Sequence, residues 1–463
     1  MKEMEKTQQL TKDAIDLSSG SVWRTFRKFF IPTLLGMLAQ CALTATDGIF
    51  VGHGVGVEGV ASVNITVPIF VTIAGIGLMF GTGSSVVAAI HLAQGRTKAA
   101  QLNITQGILA ATVIVLLLTI PMLAFPTATA RLLGCPESLL PMVREYMIWF
   151  LPGEVFSVWT ALGLYAVRLD GSPKYAAWCS GAMALVNIVL DWLFIFPFGW
   201  GLMGAAFAST IAMVIGGLMT MAYICFFAKT LRPVRIKWSM NSLRYSLRNL
   251  GYQCRIGSSN LLGECAVSAL AFVGNYVFAY YLGEQGVGAF GIACYYCPFV
   301  FMIGNAVAQS AQPIISFCYG LGKMQRVHET LRISLMVAVC CALTVALIFS
   351  LCPEWLVGLF IKSGSEASQI AVHGFPLFSL AFVCFLVNIA FIGYYQSVER
   401  VRHSTIFSLL RGFVFLVPSF ILVPRLLGVD GIWLALAVSE TLTTLCIVVT
   451  HFYQKRKMAC QVK

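Results

Sequence analysis

The chain has 463 residues, of which 58% are hydrophobic, 12% aromatic and only 11% charged, with mean hydropathy +0.83 and formal net charge +12. A soluble chain carries about 25% charged residues, so a soluble two-domain enzyme is excluded. A disordered or collagen-like chain is excluded by the same composition, and an outer-membrane barrel by apolar runs that are long and continuous instead of alternating.

Residues 1–27 are polar and mixed in charge, carry no cleavable-signal pattern, and read as a retained cytoplasmic segment. Apolar stretches then fall at about 28–52, 59–92, 99–125, 139–167, 174–197 and 200–228. A second set falls at about 251–282, 286–320, 325–351, 368–397, 403–424 and 428–453. Each is long enough for the roughly 20 residues that cross a bilayer as a helix. The intervening stretch 229–250 is strongly basic, with Lys229, Arg232, Arg235, Lys237, Arg244 and Arg248. It reads as a cytoplasmic linker whose SLRYSLRNL segment forms an amphipathic helix on the membrane surface. The expected fold is an all-α polytopic membrane protein of twelve transmembrane helices. They form two pseudo-symmetric six-helix lobes, 28–228 and 251–453, followed by a cytoplasmic tail, 454–463.

Orientation follows from the bias of Lys and Arg toward the cytoplasm. With both termini cytoplasmic, 27 of the 31 basic residues fall on cytoplasmic segments, leaving Arg131, Arg144, Lys362 and Arg425 outside. The charge of +12 is therefore a topology signal. A nucleic-acid partner would call for basic residues clustered on one folded domain, and they are spread over every cytoplasmic segment. The expectation is a monomer in the cell's inner membrane, in contact with lipid and a small-molecule substrate.

The halves repeat. Leu34-Leu35-Gly36 matches Leu261-Leu262-Gly263, Gly59-Val60 matches Gly286-Val287, Gly95 matches Gly322, and Gly201-x-x-Gly204 matches Gly428-x-x-Gly431, all at an offset of 227. Six helices per copy is an even number, so both copies enter the membrane from the same side as parallel repeats. Two like lobes in one chain suit a transporter better than a channel.

Other motifs are bland. Of the fifteen Cys most sit in apolar runs, where Cys packs as a small apolar residue; Cys294-x-x-Cys297 is read the same way. Gly75, Gly77, Gly81 and Gly83 resemble a nucleotide loop only superficially and are read as close helix packing. No phosphate-binding G-x-x-x-x-G-K-[ST] motif occurs, His53 and His91 are isolated, and no cofactor or firm metal site is expected. Energy must come from an ion gradient.

A charged side chain inside a span costs about 2.5–3.5 kcal/mol on insertion scales, so each demands an explanation. Five acids qualify: Asp47, Glu154, Asp191, Glu264 and Glu440. Asp47 and Asp191 lie near the outer ends of the first and fifth helices, about 8–9 Å below the boundary at 1.5 Å per residue. Asn187 shares the helix face of Asp191 one turn away, and Thr210 of the sixth helix lies at similar depth. Two carboxylates, an amide and a hydroxyl make a hard-oxygen site for Na⁺ or a proton. At the repeat offset Asp47 falls on Gly274 and Asp191 on Pro418, so the acids occur in one copy only. A structural need would be met in both copies, which places the ion chemistry in the first. Glu264 and Glu154 are candidates for a substrate or second cation contact. Pro32, fifteen residues before Asp47, lets the first helix bend.

These residues together resemble the MATE (multidrug and toxic compound extrusion) family over essentially the whole chain. The resemblance rests on IPTLLGMLAQCALTATDGIFVGHGVGVEGVASVNITVP, GIGLMFGTGSSVVAAIHLAQGRTKAA, NIVLDWLFIF, GLMGAAFAST and YYLGEQGVGAFGI. It implies two six-helix lobes that alternate access, and antiport of cationic or aromatic drugs against H⁺ or Na⁺. It maps a cation site onto Asp47, Asn187, Asp191 and Thr210, with Ser209 as a rival for the hydroxyl, and a bending proline onto Pro32. The tenth helix offers Asn388 and Gln396 where some members carry an acid. Other readings are an exporter of an endogenous metabolite and a lipid-linked saccharide flippase, which would want basic residues within the spans. A membrane-embedded transferase would show a His-plus-acid or paired Asp-rich motif at a membrane face, and none is present.

Overall fold

Long apolar runs fold as helices because a backbone without water must satisfy its own hydrogen bonds. The computed structural model describes residues 17–235, 240–361 and 364–461; residues 1–16 of the expected N-terminal segment, 236–239 of the linker and 462–463 of the tail lie outside the described residues. Helix α1 is Val22–Gly54, α2 is Val57–Ala93 and α3 is Thr97–Ala124. Helix α4 runs over Leu140–Leu169 and is interrupted by a 3₁₀ turn at Leu151–Gly153. Helix α5 is Pro173–Ile195, and α6 is Gly201–Phe227, ending in a π turn at Tyr223–Phe227.

Helices α7 and α8 share the helical run Met240–Gly320, divided at Gly283, whose φ of 61° and ψ of −153° no helix accepts. Helix α9 is Met324–Leu351. Helix α10 consists of Glu366–Ser379 and Ala381–Ser397, bent by 45°. Helix α11 begins at Val401, passes through a π turn at Leu410–Val414, and meets α12 at Gly428, where φ is 64° and ψ −140°. Among the described residues, nine helical runs are long and apolar enough to cross a membrane, or ten with the bent pair. Dividing the two merged runs at their glycines gives the twelve spans that the sequence predicts.

The repeat is visible in the backbone. Positive-φ glycines recur at the same offset of 227: Gly56 and Gly283, Gly95 and Gly322, Gly201 and Gly428. Each pair turns the chain between consecutive helices in a conformation that side chains with a Cβ rarely adopt. Gly56–Gly283 is a further match beyond those found in the sequence.

The chain forms two compact units, Met1–Leu261 with Pro313–Val327, and Leu262–Gln312 with His328–Lys463. Residues 251–261 and 313–327 thus pack with the first unit, although the sequence reading set them in the second lobe. The reason is close contact at glycine. A Cβ at Gly83 would collide with the backbone of Gln253, and one at Gly257 with the carbonyl of Met79. Gly75 faces Leu261 in the same seam, while Gly77 and Gly81 turn to Val158, Ala161, Leu162 and Tyr165 of α4. The four glycines are therefore packing residues for two neighbouring helices, as expected from their apolar flanks.

Two polar networks fasten the first unit at its linker end. The buried carboxylate of Asp170 accepts from the backbone N–H groups of Lys229, Thr230 and Leu231 at 2.8, 2.8 and 3.1 Å, and from the Tyr223 hydroxyl at 3.0 Å. Asn249 donates to the side chain of Asn103 at 2.8 Å, and Gln253 donates to it at 3.0 Å. Through these amides the SLRYSLRNL segment is tied to α3 and continues directly into α7. It is not a separate surface helix, because Gly251 and its neighbours keep helical geometry and nothing breaks the run. The guanidinium of Arg326 similarly donates to the carbonyls of Ser19 and Gly20 at 3.1 and 2.8 Å.

The second unit has an aromatic core. Phe278, Phe290, Phe375, Phe378, Phe382 and Trp433 are almost wholly buried, with Phe278 and Phe290 stacked at 4.4 Å between centroids. Gly374 lies against the Trp433 ring, where a Cβ would overlap it. Cys294 and Cys297 are free thiols.

The glycine seam gives a direct test. Gly257→Val should cost about 1–3 kcal/mol by overpacking, whereas Gly181→Ala, with open space around its Cβ, should be neutral or slightly stabilising. Thermal unfolding of the purified variants in detergent reads the difference.

Candidate functional site

Two small-residue contacts set the register of α1 on α5. A Cβ at Gly36 would touch Ser180 at 3.4 Å, and one at Gly54 would meet the side chain of Ile195. The helices therefore run parallel and level. Asp47 lies eleven residues beyond Gly36, and Asp191 lies eleven beyond Ser180, so the two acids share one layer. Their carboxyl groups come within hydrogen-bonding range of each other. Two carboxylates can bond in that way only if they share a proton or a cation.

Asp191 and Asn187 are both fully buried, one turn apart on α5. The Asn187 amide donates to the Ser209 hydroxyl at 3.2 Å. Neither oxygen of Asp191, nor the amide oxygen of Asn187, meets a hydrogen-bond donor in good geometry. Buried polar atoms are normally satisfied, and these three oxygens together form an electron-rich cluster. Among the described residues no ion pair involves Asp47 or Asp191. Among the described residues, no three His, Cys, Asp or Glu side chains converge as a metal centre. Oxygen ligands of this number and hardness suit a proton or a light alkali ion.

The hydroxyl in this layer is Ser209, not Thr210. Thr210 lies one residue further along α6 and its side chain points elsewhere, donating to the Trp149 carbonyl at 2.6 Å. It thereby satisfies a carbonyl freed where α4 breaks at Leu151–Gly153. A Cβ at Gly153 would approach Thr210 at 3.0 Å, so that break lets α4 and α6 close on each other.

The same break buries Glu154. Only 1% of it is exposed, and one of its carboxyl oxygens has no partner. The hydroxyl of Tyr146, itself 4% exposed and stacked on Phe150, lies within electrostatic reach of Asp47, Asp191 and Glu154 together. The structure thus brings Glu154 into the interior that holds the aspartates. Tyr146 and Ser209 are the additional members. Ser209 was legible as a rival to Thr210, while Tyr146 carried no signal beyond its place in an amphipathic segment. Phe194 stacks on both Trp200 and Phe207, with Trp149 against Phe207 at 5.2 Å.

The remaining predicted positions are dispersed. Pro32 lies in α1, which continues as one helix from Val22 to Gly54; the missing N–H leaves a backbone carbonyl one turn earlier without its helical partner. Glu264 is half-buried on α7 in the second unit, and none of the ion pairs among the described residues uses it. Glu440 is not the unpaired acid that the sequence suggests. Its carboxylate accepts from Nε of Arg411 at 2.7 Å and from the Asn388 amide at 2.7 Å, and all three are at most 5% exposed. Arg411 therefore belongs to the interior of a span and not to a cytoplasmic segment. Ten residues separate it from the start of α11, a depth of about 15 Å.

Comparison with known proteins agrees with this architecture. A family model described as MatE matches residues 32–193 and again residues 261–421, once in each half. The multidrug export protein MepA of Staphylococcus saprophyticus is 24% identical over 440 residues, covering 92% of each chain. The FAD transporter of Shewanella oneidensis is 21% identical over 436 residues, covering 93% of this chain and 94% of that one. Among solved structures, the outward-facing form of a multidrug-resistance MATE-family transporter of the MOP superfamily superposes with a TM-score of 0.88 at 20% identity, covering 98% and 99%. A MOP-superfamily transporter from Pyrococcus furiosus superposes with a TM-score of 0.87, also at 20% identity and 98% and 99% coverage; it is described as having a binding pocket of reversed polarity.

The placement of the hydroxyls predicts different phenotypes for adjacent residues. Ser209→Ala should raise the half-saturating concentration of the coupling ion about fivefold, for one lost ligand contact of about 1 kcal/mol. Thr210→Val should leave that concentration unchanged and lower thermal stability instead. Transport rates measured against ion concentration, alongside Tm, separate the two.

Proposed function

The chain belongs to the MatE family and is a multi-pass membrane transporter, not an enzyme; on that footing we propose that it is a secondary active antiporter. It exports cationic or aromatic small molecules in exchange for H⁺ or Na⁺. The observation that carries this reading is the pair of half-buried Asp47 and fully buried Asp191, with Asn187 and Ser209, a set of oxygens without a compensating basic side chain among the described residues. The multidrug export proteins to which the chain is similar support the substrate class. The positive-inside bias supports both termini in the cytoplasm of the cell membrane.

The mechanism follows from the cost of charge in the membrane. An empty Asp47–Asp191 pair is a self-repelling, largely desolvated anion. Binding of H⁺ or Na⁺ neutralises it and lets α1 close on α5 through their shared layer. The carbonyl left free by Pro32 gives α1 a point at which it can bend in response. Substrate held in the other state is then released outward, and ion release toward the cytoplasm resets the cycle. Each elementary charge moved across 100 mV contributes about 2.3 kcal/mol, enough for roughly a fiftyfold gradient of a neutral substrate. Glu154, in the same interior, is a further proton-accepting position. A saccharide flippase is not favoured, because the buried guanidinium of Arg411 is engaged by Glu440.

In proteoliposomes loaded with a fluorescent organic cation, imposed ΔpH or ΔNa⁺ should drive efflux by the native protein. Asp47→Asn and Asp191→Asn should each abolish the ion-driven component while inserting normally. Undiminished ion-driven efflux by both variants would refute the proposal, and the separate gradients identify the ion.

A further inference from the structure

The two halves carry chemically parallel clusters on equivalent helices. At the offset of 227, α4 from Glu154 onward corresponds to α10 from Ala381, α5 to α11, and α6 to α12. In the first unit these helices bring together Glu154, Asn187, Asp191 and Ser209, with Asp47 of α1. In the second they bring together Asn388, Arg411 and Glu440, with Thr444 donating to Asn388 Oδ1 at 2.9 Å. Each cluster thus has carboxylate, amide and hydroxyl oxygens. The difference is the cation. The first cluster has no basic side chain, whereas in the second a guanidinium lies against the carboxylate.

The second cluster is built to hold that guanidinium. Arg411 sits on the π turn at Leu410–Val414, an irregularity that re-aims a helix face and recurs at functional sites. The guanidinium carbon stands 4.0 Å from the centroid of the Phe385 ring and 6.0 Å from that of Phe301, which supplies cation–π stabilisation. The amide of Asn388 donates both to the Glu440 carboxylate at 2.7 Å and to its backbone carbonyl at 2.9 Å. Gly412, next in sequence, would place a Cβ only 2.5 Å from Ala266 of α7, so the turn is pressed against that helix. The groups around the carboxylate are thus Arg411 from α11, Asn388 and Phe385 from α10, Phe301 from α8, and Thr444 one turn along α12. Glu264 stands on α7, two residues before Ala266, and Cys384 of α10 contacts Thr441 a step round α12 at 3.6 Å.

We propose that Arg411 is a covalently tethered cation that permanently fills a latent cation site in the second unit, formed by Glu440, Asn388 and Thr444. That site would take a proton or an alkali cation if the guanidinium were absent. The inference rests on the antiport reading only in its consequence, that the coupling ion is confined to the first unit. A buried carboxylate that loses its partner has to regain positive charge. Removing Arg411 therefore converts a filled site into an exchangeable one.

The test uses the full-length protein purified in detergent, in the Asp47→Asn/Asp191→Asn/Glu154→Gln background so that the first cluster contributes no ion response. Tm is measured from acid to alkaline pH, and with NaCl against N-methylglucamine chloride. Arg411→Met should have a Tm that falls as pH rises and recovers with Na⁺. The background protein, Arg411→Lys and Arg411→Met/Glu440→Gln should show neither response. The converse variant Glu440→Gln keeps the guanidinium without its counter-charge; its Tm should rise with chloride over gluconate and ignore Na⁺. If Arg411→Met does not fold, the chloride response of Glu440→Gln and the silence of the double variant remain decisive. The proposal is overturned if Arg411→Met matches the background in its response to pH and Na⁺. It is equally overturned if the background responds to Na⁺ and loses that response on Glu440→Gln, or if Glu440→Gln shows no chloride response. Ion-driven efflux by the protein with native aspartates tests the antiport reading separately, so failure of one is distinguishable from failure of the other.

Discussion

A carboxylate inside a span has no water to solvate it, and the nearest remedy is a positive partner. Three of the buried acids among the described residues are accommodated in different ways. Asp170 is surrounded by backbone N–H groups near the linker. Glu440 has a guanidinium and an amide. Asp191 has no guanidinium, lies one turn from the Asn187 amide, and stands beside a second aspartate. The first two arrangements are complete in themselves. The third has no basic side chain paired to it among the described residues, and on the antiport reading it is completed by a cation that arrives from solution.

The helical scaffold exists to hold that layer at a fixed height. Helices in a membrane gain nothing from hydrophobic burial against one another, so small residues and close backbone approach set their contacts. Gly36 and Gly54 fix α1 on α5. Gly153 and Gly217 fix α4 on α6, with Cβ positions that would reach Thr210 and the carbonyl of Phe156 at 3.0 and 2.7 Å. Asp47 is thereby brought to α5 by contacts two to three turns away, and Glu154 to α6 by contacts at its own turn. Substitutions in these seams are expected to alter ion coupling through register, without touching an ion ligand.

Much of this was legible in the sequence because the underlying rules are periodic. Apolar runs of the right length gave the spans, and the offset of 227 gave the repeat, which the backbone repeats in its positive-φ glycines. The scarcity of charge singled out Asp47, Asn187 and Asp191. What was not legible depends on side-chain direction and helix irregularity. Ser209 and Thr210 differ by 100° around α6, and the assignment between them turns on which one meets Asn187. Glu154 joins the aspartates because α4 breaks just before it. Arg411 was counted with the cytoplasmic basic residues because it lies near other basic residues in sequence, and its partner Glu440 is 29 residues away. The amphipathic SLRYSLRNL segment looked like a surface helix, yet its amides reach α3, a contact that hydrophobic patterning does not report.

Reciprocity between ion and substrate is the core of an antiport mechanism, since two ligands that favour opposite states must weaken each other's binding to the same extent. The most direct measurement is substrate affinity of the purified protein as a function of pH and of Na⁺, in native and Asp47→Asn/Asp191→Asn forms. The account predicts that substrate Kd rises as the coupling ion is added to the native protein, and that the double variant holds one Kd throughout. The same ion dependence in both forms, or none in the native protein, would contradict it.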